Sequence, residues 1–303
     1  MKPLDVEERR VQSFDGTDIA YHVVGEGDGP PILLCNGLGG SWKAWSHQIR
    51  YFQGSRRFIS WDYRGLYRSG PPGTPDALRV EDHVQDALAV LAAEGAEEAT
   101  LFGWSMGVQV ALEFYRRQPS KVAQLLLING VAGQPYRSVM NLGFMGDVLP
   151  PLIRGIGAMP RIAEAVTRRF VGMPETVQWA KRIGLAARSL DEDIFQQLAG
   201  SFADLDMGLY MRILEFLGEH DASDVLSSVL VPTLLIAGDR DVFTPRAAAE
   251  RMARQIPGAE IMVVPGGTHY VAVEYPELVN LRTEKFFRER CGQLSEHPAS
   301  NEQ

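Results

Sequence analysis

Short apolar segments alternate with amphipathic helical patterns along most of this chain of 303 residues, and this alternation constrains the fold more than any other feature. Each apolar segment ends at a glycine-rich or polar turn, which is typical of a strand buried on both faces. The segments span residues 31–35, 57–61, 99–102, 124–128, 233–237 and 261–264. Strands that alternate with helices predict a mostly parallel sheet covered by helices on both faces.

The helical patterns lie between these segments. Val80, Val84, Leu88 and Leu91 fall on one face of a predicted helix, and further helices are predicted over 106–117, 246–255 and 277–290. At the N-terminus, β-prone runs at 11–14 and 19–24 flank Asp15-Gly16, a strong hairpin signal. The sequence therefore predicts an α/β fold with a doubly wound, mostly parallel sheet of about eight strands, carrying antiparallel strands at one edge.

Residues 133–228 interrupt the alternation, because they contain helical patterns and no buried-strand segment. We expect a helical cap there, inserted into a core formed by residues 1–132 and 229–291, with a frayed tail at 292–303. Six of the ten methionines fall in the insertion. Methionine fills irregular cores and also suits surfaces that accept varied apolar ligands, so both interpretations stay open.

Composition excludes several classes of function. The net charge is −8, which gives no support to nucleic-acid binding or to docking on an anionic membrane. No apolar run reaches the length of a spanning helix, so no stable membrane insertion is expected. The start of the chain has no secretory h-region, and the two cysteines, Cys35 and Cys291, lack the spacing of a disulfide framework or a metal site. We expect a cytoplasmic protein.

The pentapeptide Gly103-Trp104-Ser105-Met106-Gly107 matches the pattern G-x-S-x-G. A predicted strand precedes it and a predicted helix follows it, which is the strand–turn–helix setting of a nucleophile elbow. The two glycines suit a tight turn in which side chains would collide with the neighbouring strand and helix. We therefore predict that Ser105 is a nucleophile rather than an ordinary helix cap.

A serine nucleophile needs a base, and the base needs a group that orients it. Of the six histidines, His269 is the one in a glycine-rich loop directly after a predicted buried strand, at the edge of the sheet where Ser105 is expected. The loop after residues 233–237 offers two candidate acids, Asp239 and Asp241. Position alone leaves both possible, although Asp241 has the freer reach toward His269.

These motifs together resemble the α/β-hydrolase fold superfamily, in particular its serine esterases and lipases, over about residues 11–290. The turn after the third strand, a D-x-R-G-x-G-x-S loop, a G-x-x-D acid loop and a G-x-H base loop correspond to residues 36–40, 62–69, 238–241 and 267–269. The resemblance implies a triad of Ser105, Asp241 and His269, which favours Asp241 over Asp239. It also implies an oxyanion hole formed by the backbone amides of Leu38 and Met106.

Two residues depart from the family pattern. Asn36 stands where the turn usually has histidine, and Tyr67 stands where the later loop usually has glycine. An Asn-Gly variant of this turn is similar to that of intracellular medium-chain polyhydroxyalkanoate depolymerases. In addition to the triad and the oxyanion hole, we predict that Asn36 and Trp104 bind the substrate.

The function expected from this resemblance is hydrolysis of carboxylic esters through an acyl-enzyme, with no metal and no organic cofactor. The large apolar cap favours small hydrophobic esters, with medium chains preferred. Serine at the elbow argues against dehalogenase and epoxide-hydrolase chemistry, which in relatives needs aspartate there. Lactonase, polyhydroxyalkanoate depolymerase, C–C hydrolase and cofactor-free perhydrolase activity remain open on the same triad. A hydrolase-like protein that binds a ligand without turning it over is the alternative from another class.

Overall fold

The computed structural model of the chain describes residues 3–139, 142–171, 173 and 175–290. Its strands are β1 Glu7–Gln12, β2 Asp18–Val24, β3 Ile32–Cys35, β4 Phe58–Trp61, β5 Ala99–Trp104, β6 Val122–Ile128, β7 Thr233–Gly238 and β8 Glu260–Val264. They form one eight-stranded sheet in the order β1-β2-β4-β3-β5-β6-β7-β8. Each of the six predicted apolar segments overlaps one of the strands β3–β8. The expected sheet of about eight strands is confirmed.

The edge hairpin differs in its bounds from the prediction. β1 pairs with β2 and β2 pairs with β4, both antiparallel, whereas the other neighbours are parallel. The ladder of the hairpin closes at the pair Gln12–Asp18, so the predicted first strand at 11–14 is wrong by several residues. Phe14 lies in the turn and is 57% exposed. β1 begins earlier than predicted because the bounds of an edge strand are set by its backbone hydrogen bonds with the neighbouring strand, and not by burial of its side chains.

Helices cover both faces of the sheet. They are α1 Ser46–Phe52, α2 Val80–Ala93, α3 Met106–Arg117, α4 Pro135–Ser138, α5 Met145–Gly157, α6 Pro160–Val171, α7 Thr176–Arg182, α8 Glu192–Phe202, α9 Met207–Glu219, α10 Arg246–Gln255, α11 Val271–Glu274 and α12 Pro276–Arg290. Buried side chains of α2, α3 and α10 pack in the core on one face, and those of α1 and α12 pack on the other. The sheet is therefore doubly wound, and the carboxyl ends of its parallel strands share one edge.

The segment 133–228 contains α4–α9 and, among its described residues, no strand. Ile213 and Leu217 of α9 join the same buried cluster as α2 and α3. The division of the chain into a core and a cap stays a prediction, and the predicted tail at 292–303 lies outside the described residues, as does Cys291. Cys35 is a buried free thiol. None of the described helices combines the length and the apolar character needed to cross a membrane.

Candidate active site

Ser105 lies in the turn between β5 and α3 and has a backbone φ of 56° and ψ of −118°. A positive φ is uncommon for a residue with a side chain, and such strain concentrates at functional sites. The flanking glycines make the turn possible. A Cβ on Gly103 would lie 2.6 Å from the Gly107 carbonyl oxygen, and a Cβ on Gly107 would lie 1.8 Å from the carbonyl oxygen of Cys35. Only glycine fits at these two positions.

This packing gives a stability prediction. Gly107→Ala should lower the free energy of unfolding by about 3 kcal/mol, at the upper end of overpacking effects, because the new methyl group meets backbone that cannot move aside. Thermal unfolding measures the effect. The matched control is Gly200→Ala in α8, where a Cβ meets nothing within 4 Å; alanine there should be neutral or stabilising. Equal melting temperatures for the two variants would contradict the packing argument.

The structure brings Ser105, His269 and Asp241 into one hydrogen-bonded chain. Ser105 Oγ lies 2.9 Å from His269 Nε2. On the other side of the ring, His269 Nδ1 lies 2.8 Å from Asp241 Oδ2. His269 and Asp241 are both buried, and the serine side chain is partly exposed. A hydroxyl, an imidazole and a buried carboxylate in this order form the arrangement of a serine nucleophile with its base and its orienting acid.

The two candidate acids have different surroundings. Asp241 accepts hydrogen bonds from the Phe243 amide and from the amide and hydroxyl of Thr244, at 2.8, 3.0 and 2.6 Å. Burial alone would raise the pKa of Asp241, but the His269 imidazole and these donors together lower it. Asp239 instead accepts the Gly266 amide at 2.7 Å. The geometry thus joins His269 to Asp241 and leaves Asp239 bracing the base loop.

Two backbone amides lie beside the serine. Gly37 is close enough that a Cβ there would sit 3.3 Å from Ser105 Cβ, so the turn 36–40 adjoins Ser105. In the part of the chain that the structure describes, the amides of Leu38 and Met106 have no hydrogen-bond acceptor. Met106 is also the first residue of α3, where N–H groups have no partner within the helix. Both amides therefore remain available to an oxygen atom bound next to Ser105.

The polar side-chain groups of Asn36 and Trp104 are hydrogen-bonded within the protein. The Asn36 amide donates to Ser60 Oγ at 3.0 Å and accepts from the Trp45 indole at 3.0 Å, and the residue is 1% exposed. The Trp104 indole donates to the carbonyl of His269 at 2.8 Å. The contacts of Asn36 do not support a direct contact with substrate, because its amide is already used to hold the turn. Trp104 contacts the base loop, and its ring centroid is 5.7 Å from that of His269.

The backbone conformation at Tyr67 explains why the family motif usually has glycine at this position. Its φ is 51°, in the left-handed region that favours glycine. The tyrosine hydroxyl donates a hydrogen bond to the Gly39 carbonyl of the turn 36–40. A strained backbone in one loop is thereby linked to the turn that carries the Leu38 amide.

Sequence reasoning missed two residues that hold Thr268, the neighbour of His269. Asn129, buried at the end of β6, donates to the Thr268 carbonyl at 2.6 Å and accepts the Gly238 amide at 2.9 Å. Its own backbone carbonyl accepts the Ser105 amide at 3.1 Å, so Asn129 contacts the segments that carry Ser105, Asp241 and His269. Buried Glu274 accepts the Thr268 amide at 2.7 Å and the Ala187 amide of the helical segment at 2.8 Å.

An apolar cavity of about 520 Å³ opens next to the base loop. Its lining is Met173, Thr176, Trp179, Ala180, Ile183, Leu185, Phe195, Phe243 and Tyr270. Phe243 and Tyr270 also flank the imidazole of His269, with ring centroids 5.2 and 5.9 Å from it. The volume lies within the range of pockets for small molecules, and no lining residue carries a charge.

One cluster of acidic and histidine side chains has the spacing of metal ligands. Glu81, Glu113 and His220 place ligand-type atoms within 4.8 Å of one another. The Glu113 carboxylate is already paired with Arg117 at 2.6 Å and with Arg116, and it faces His220. Because its charge is matched by two guanidinium groups, we interpret the cluster as a structural ion-pair network.

Comparison with known proteins identifies the family of this chain. A family model described as the alpha/beta hydrolase fold matches residues 30–276, and the chain therefore belongs to the α/β-hydrolase fold family. The putative carbamate hydrolase RutD of Azorhizobium caulinodans is 28% identical over 279 residues, covering 92% of this chain and 97% of that protein. The 3-oxoadipate enol-lactonase 2 of Acinetobacter baylyi is 26% identical over 264 residues, covering 87% and 91%. The esterase EaEST of Exiguobacterium antarcticum shares the fold with a TM-score of 0.77 at 22% identity, covering 93% and 100%.

Proposed function

We propose that this chain is a cytoplasmic serine hydrolase that cleaves carboxylic esters of hydrophobic, medium-chain substrates. The observation that carries the proposal is the hydrogen-bonded chain from Ser105 Oγ through His269 to Asp241, at 2.9 and 2.8 Å, beside two available amides. Relatives whose names are putative carbamate hydrolase and 3-oxoadipate enol-lactonase support hydrolysis at an acyl carbon as the general chemistry.

In the proposed mechanism, His269 takes the proton of Ser105 as the serine oxygen attacks the ester carbonyl. The amides of Leu38 and Met106 then stabilise the tetrahedral oxyanion, each contributing on the order of 3 kcal/mol. His269 returns the proton to the departing alcohol, and the acyl group remains on Ser105. Water then attacks the acyl-enzyme as His269 takes its proton. The second oxyanion collapses, His269 returns that proton to Ser105 Oγ, and the acid is released. Asp241 holds the imidazole and stabilises its positive charge in both halves.

The apolar cavity supports a hydrophobic substrate. An acyl chain that leaves Ser105 past Phe243 or Tyr270 meets uncharged side chains over a volume of about 520 Å³. A substrate that carries a carboxylate or an amine would leave that charge unpaired there, which is unfavourable. This argues for open-chain apolar esters over small polar carbamates or acidic lactones.

The test is a rate series on p-nitrophenyl esters from acetyl to palmitoyl, with a lactone and a carbamate panel alongside. We expect an optimum at medium chain length. A matched variant, Ala180→Phe, fills part of the cavity and should shift the optimum to shorter chains while leaving acetyl ester turnover within about twofold. Activity confined to the lactone or carbamate panel would replace the proposed substrate class.

Covalent labelling by a fluorophosphonate separates catalysis from ligand binding. An enzyme with an activated serine should be labelled stoichiometrically at Ser105, because the reagent traps the nucleophile in the geometry of acyl transfer. A chain that resists the reagent but binds an apolar ligand in its cavity would instead be a non-catalytic binding protein, and the proposed function would be wrong.

The residues that hold Thr268 give a further prediction. Asn129→Asp keeps size and backbone preference but removes the donor to the Thr268 carbonyl, so His269 should lose its fixed position. We expect kcat to fall roughly 10- to 100-fold with KM unchanged. The matched control is Asn280→Asp, a buried asparagine that donates to the His47 carbonyl away from the triad. A fall in melting temperature without a fall in kcat would show that Asn129 has only a structural role.

A further inference from the structure

Three consecutive helices of the 133–228 segment each expose a pair of large apolar side chains. In every pair the residues are four apart, so they lie on one face of their helix. The pairs are Val148 and Leu152 on α5, Ile162 and Val166 on α6, and Trp179 on α7 with Ile183, the residue that caps its C-terminus. Each of these side chains is between 48% and 63% exposed. Helices α5 and α6 pack against each other, which brings two of the pairs onto neighbouring helices. We call these six residues the exposed apolar pairs.

Residues 135–190, which include α5–α7, carry a net charge opposite to that of the whole chain. Residues 135–190 contain eight Lys and Arg but three Asp and Glu, a net charge of +5 in a chain whose net charge is −8. Arg161, Arg169 and Arg182 are exposed, and none of the three makes an ion pair with another described residue. Positive charge and exposed apolar side chains thus occur together on α5–α7.

One of the exposed apolar pairs, Trp179 and Ile183, also reaches the cavity beside the base loop. Trp179 and Ile183 line that cavity together with Met173, which is 46% exposed. The same cavity is bounded by Phe243 and Tyr270, whose rings flank His269. Apolar surface is therefore continuous from the outer face of α7 to the neighbourhood of the imidazole.

We propose that α5–α7 form a docking surface for an anionic lipid layer. Protruding apolar side chains among arginines are the features of helices that lie in a membrane interface, where apolar burial and attraction to acidic headgroups add. A second copy of this chain would bring two segments of net charge +5 together, which opposes self-association through this face. The net charge of the whole chain does not reveal this surface, because the acidic residues elsewhere outweigh the positive charge of residues 135–190 in the sum. Docking itself does not depend on the proposed function, but delivery of an ester from the lipid layer into the cavity does.

Vesicle sedimentation with the inactive Ser105→Ala chain tests docking apart from hydrolysis. We expect the chain to sediment with vesicles of phosphatidylcholine and phosphatidylglycerol at low salt, and to be released by 0.5 M salt, where screening is strong. The double variant Ile162→Gln, Val166→Gln should bind roughly tenfold more weakly, as should Arg161→Gln, Arg169→Gln. Leu281→Gln on α12 and Arg251→Gln on α10 change an equally exposed apolar and a basic residue away from the surface, and they should bind as the parent does.

The outcomes separate the alternatives. Absence of binding to acidic vesicles, or equal binding by the double variants and the controls, overturns the proposal. A concentration-dependent dimer in sedimentation velocity that the Ile162→Gln, Val166→Gln chain loses would assign the face to a second copy instead. In the active chain, this double variant should keep its rate on a soluble butyryl ester and lose rate on an ester dispersed in acidic vesicles. If wild type hydrolyses neither ester yet binds vesicles, the proposed function fails and the docking surface stands.

Discussion

Replacing Ser105 with alanine should lower kcat on every hydrolysed ester by a factor on the order of 10⁴ to 10⁶, since removing the nucleophile leaves only binding and oxyanion stabilisation. Ser105 Oγ makes its one side-chain hydrogen bond among the described residues with His269 Nε2. Alanine keeps the Cβ that the turn already accommodates at φ 56°. The melting temperature should therefore stay within about 2 °C of wild type, because no packing is lost.

The control for this loss is Ser228→Ala. Ser228 is exposed and donates to the Val225 carbonyl at 2.8 Å, away from the triad, so its removal should leave kcat unchanged. Burst kinetics with a p-nitrophenyl ester would add a direct readout, since wild type should release one equivalent of nitrophenol as the acyl-enzyme forms. A Ser105→Ala chain that still turns over esters at more than a few per cent of the wild-type rate would remove the serine from the mechanism.

Most of the fold could be predicted because buried elements leave periodic apolar patterns. The predicted helix at 106–117 coincides with α3 and the one at 246–255 with α10, since both pack against the sheet with apolar side chains at helical spacing. The edge strand β1 was misplaced because its residues alternate between exposed and half-buried, so no apolar run marks its start. An edge strand is held by backbone pairing, which sequence does not display.

The candidate triad could be predicted because each member follows a short apolar segment that ends at the same edge of the sheet. Residues that act through other residues left no such signal. Asn129 contacts Gly238 and Thr268, which are 109 and 139 positions away along the chain. Glu274 stands in a short helix among apolar residues and becomes meaningful only once Thr268 and Ala187 are seen to donate to it. Sequence spacing gives no distance over such separations.

Comparison with the family motif identifies Asn36 as a departure, but it does not predict which groups the side-chain amide of Asn36 contacts. A buried side-chain amide must satisfy both donors and its acceptor within the protein. Asn36 does so with Ser60, the Trp61 carbonyl and the Trp45 indole, and these partners come from β4 and the segment after the turn. Its environment was therefore determined by tertiary packing, which a motif cannot express.

The choice between the two acids gives the second large effect. Asp241→Asn should lower kcat by about 10⁴, because an amide in place of the carboxylate favours the wrong imidazole tautomer and removes the charge that stabilises imidazolium. Asp239→Asn should reduce kcat less than tenfold, since asparagine still offers an oxygen to the Gly266 amide. Steady-state kinetics on one medium-chain ester measures both. A larger loss of kcat in Asp239→Asn than in Asp241→Asn would make Asp239 the acid that orients His269. Small losses of kcat in both variants would mean that neither aspartate orients His269.

The same pair of variants makes a prediction about pH and stability. The pKa of Asp241 is lowered from its ordinary value of 3.8 in the folded protein, so its ionised form stabilises the fold above that value. This contribution is lost as the pH falls through the lower, folded-state pKa, where the carboxylate takes up a proton. Asparagine does not titrate, so the difference in melting temperature between wild type and Asp241→Asn should be greatest near neutral pH and shrink below pH 4. A difference that stays constant from pH 7 to pH 3 would mean that the hydrogen bonds to Asp241 hold its loop equally well whether or not it is charged.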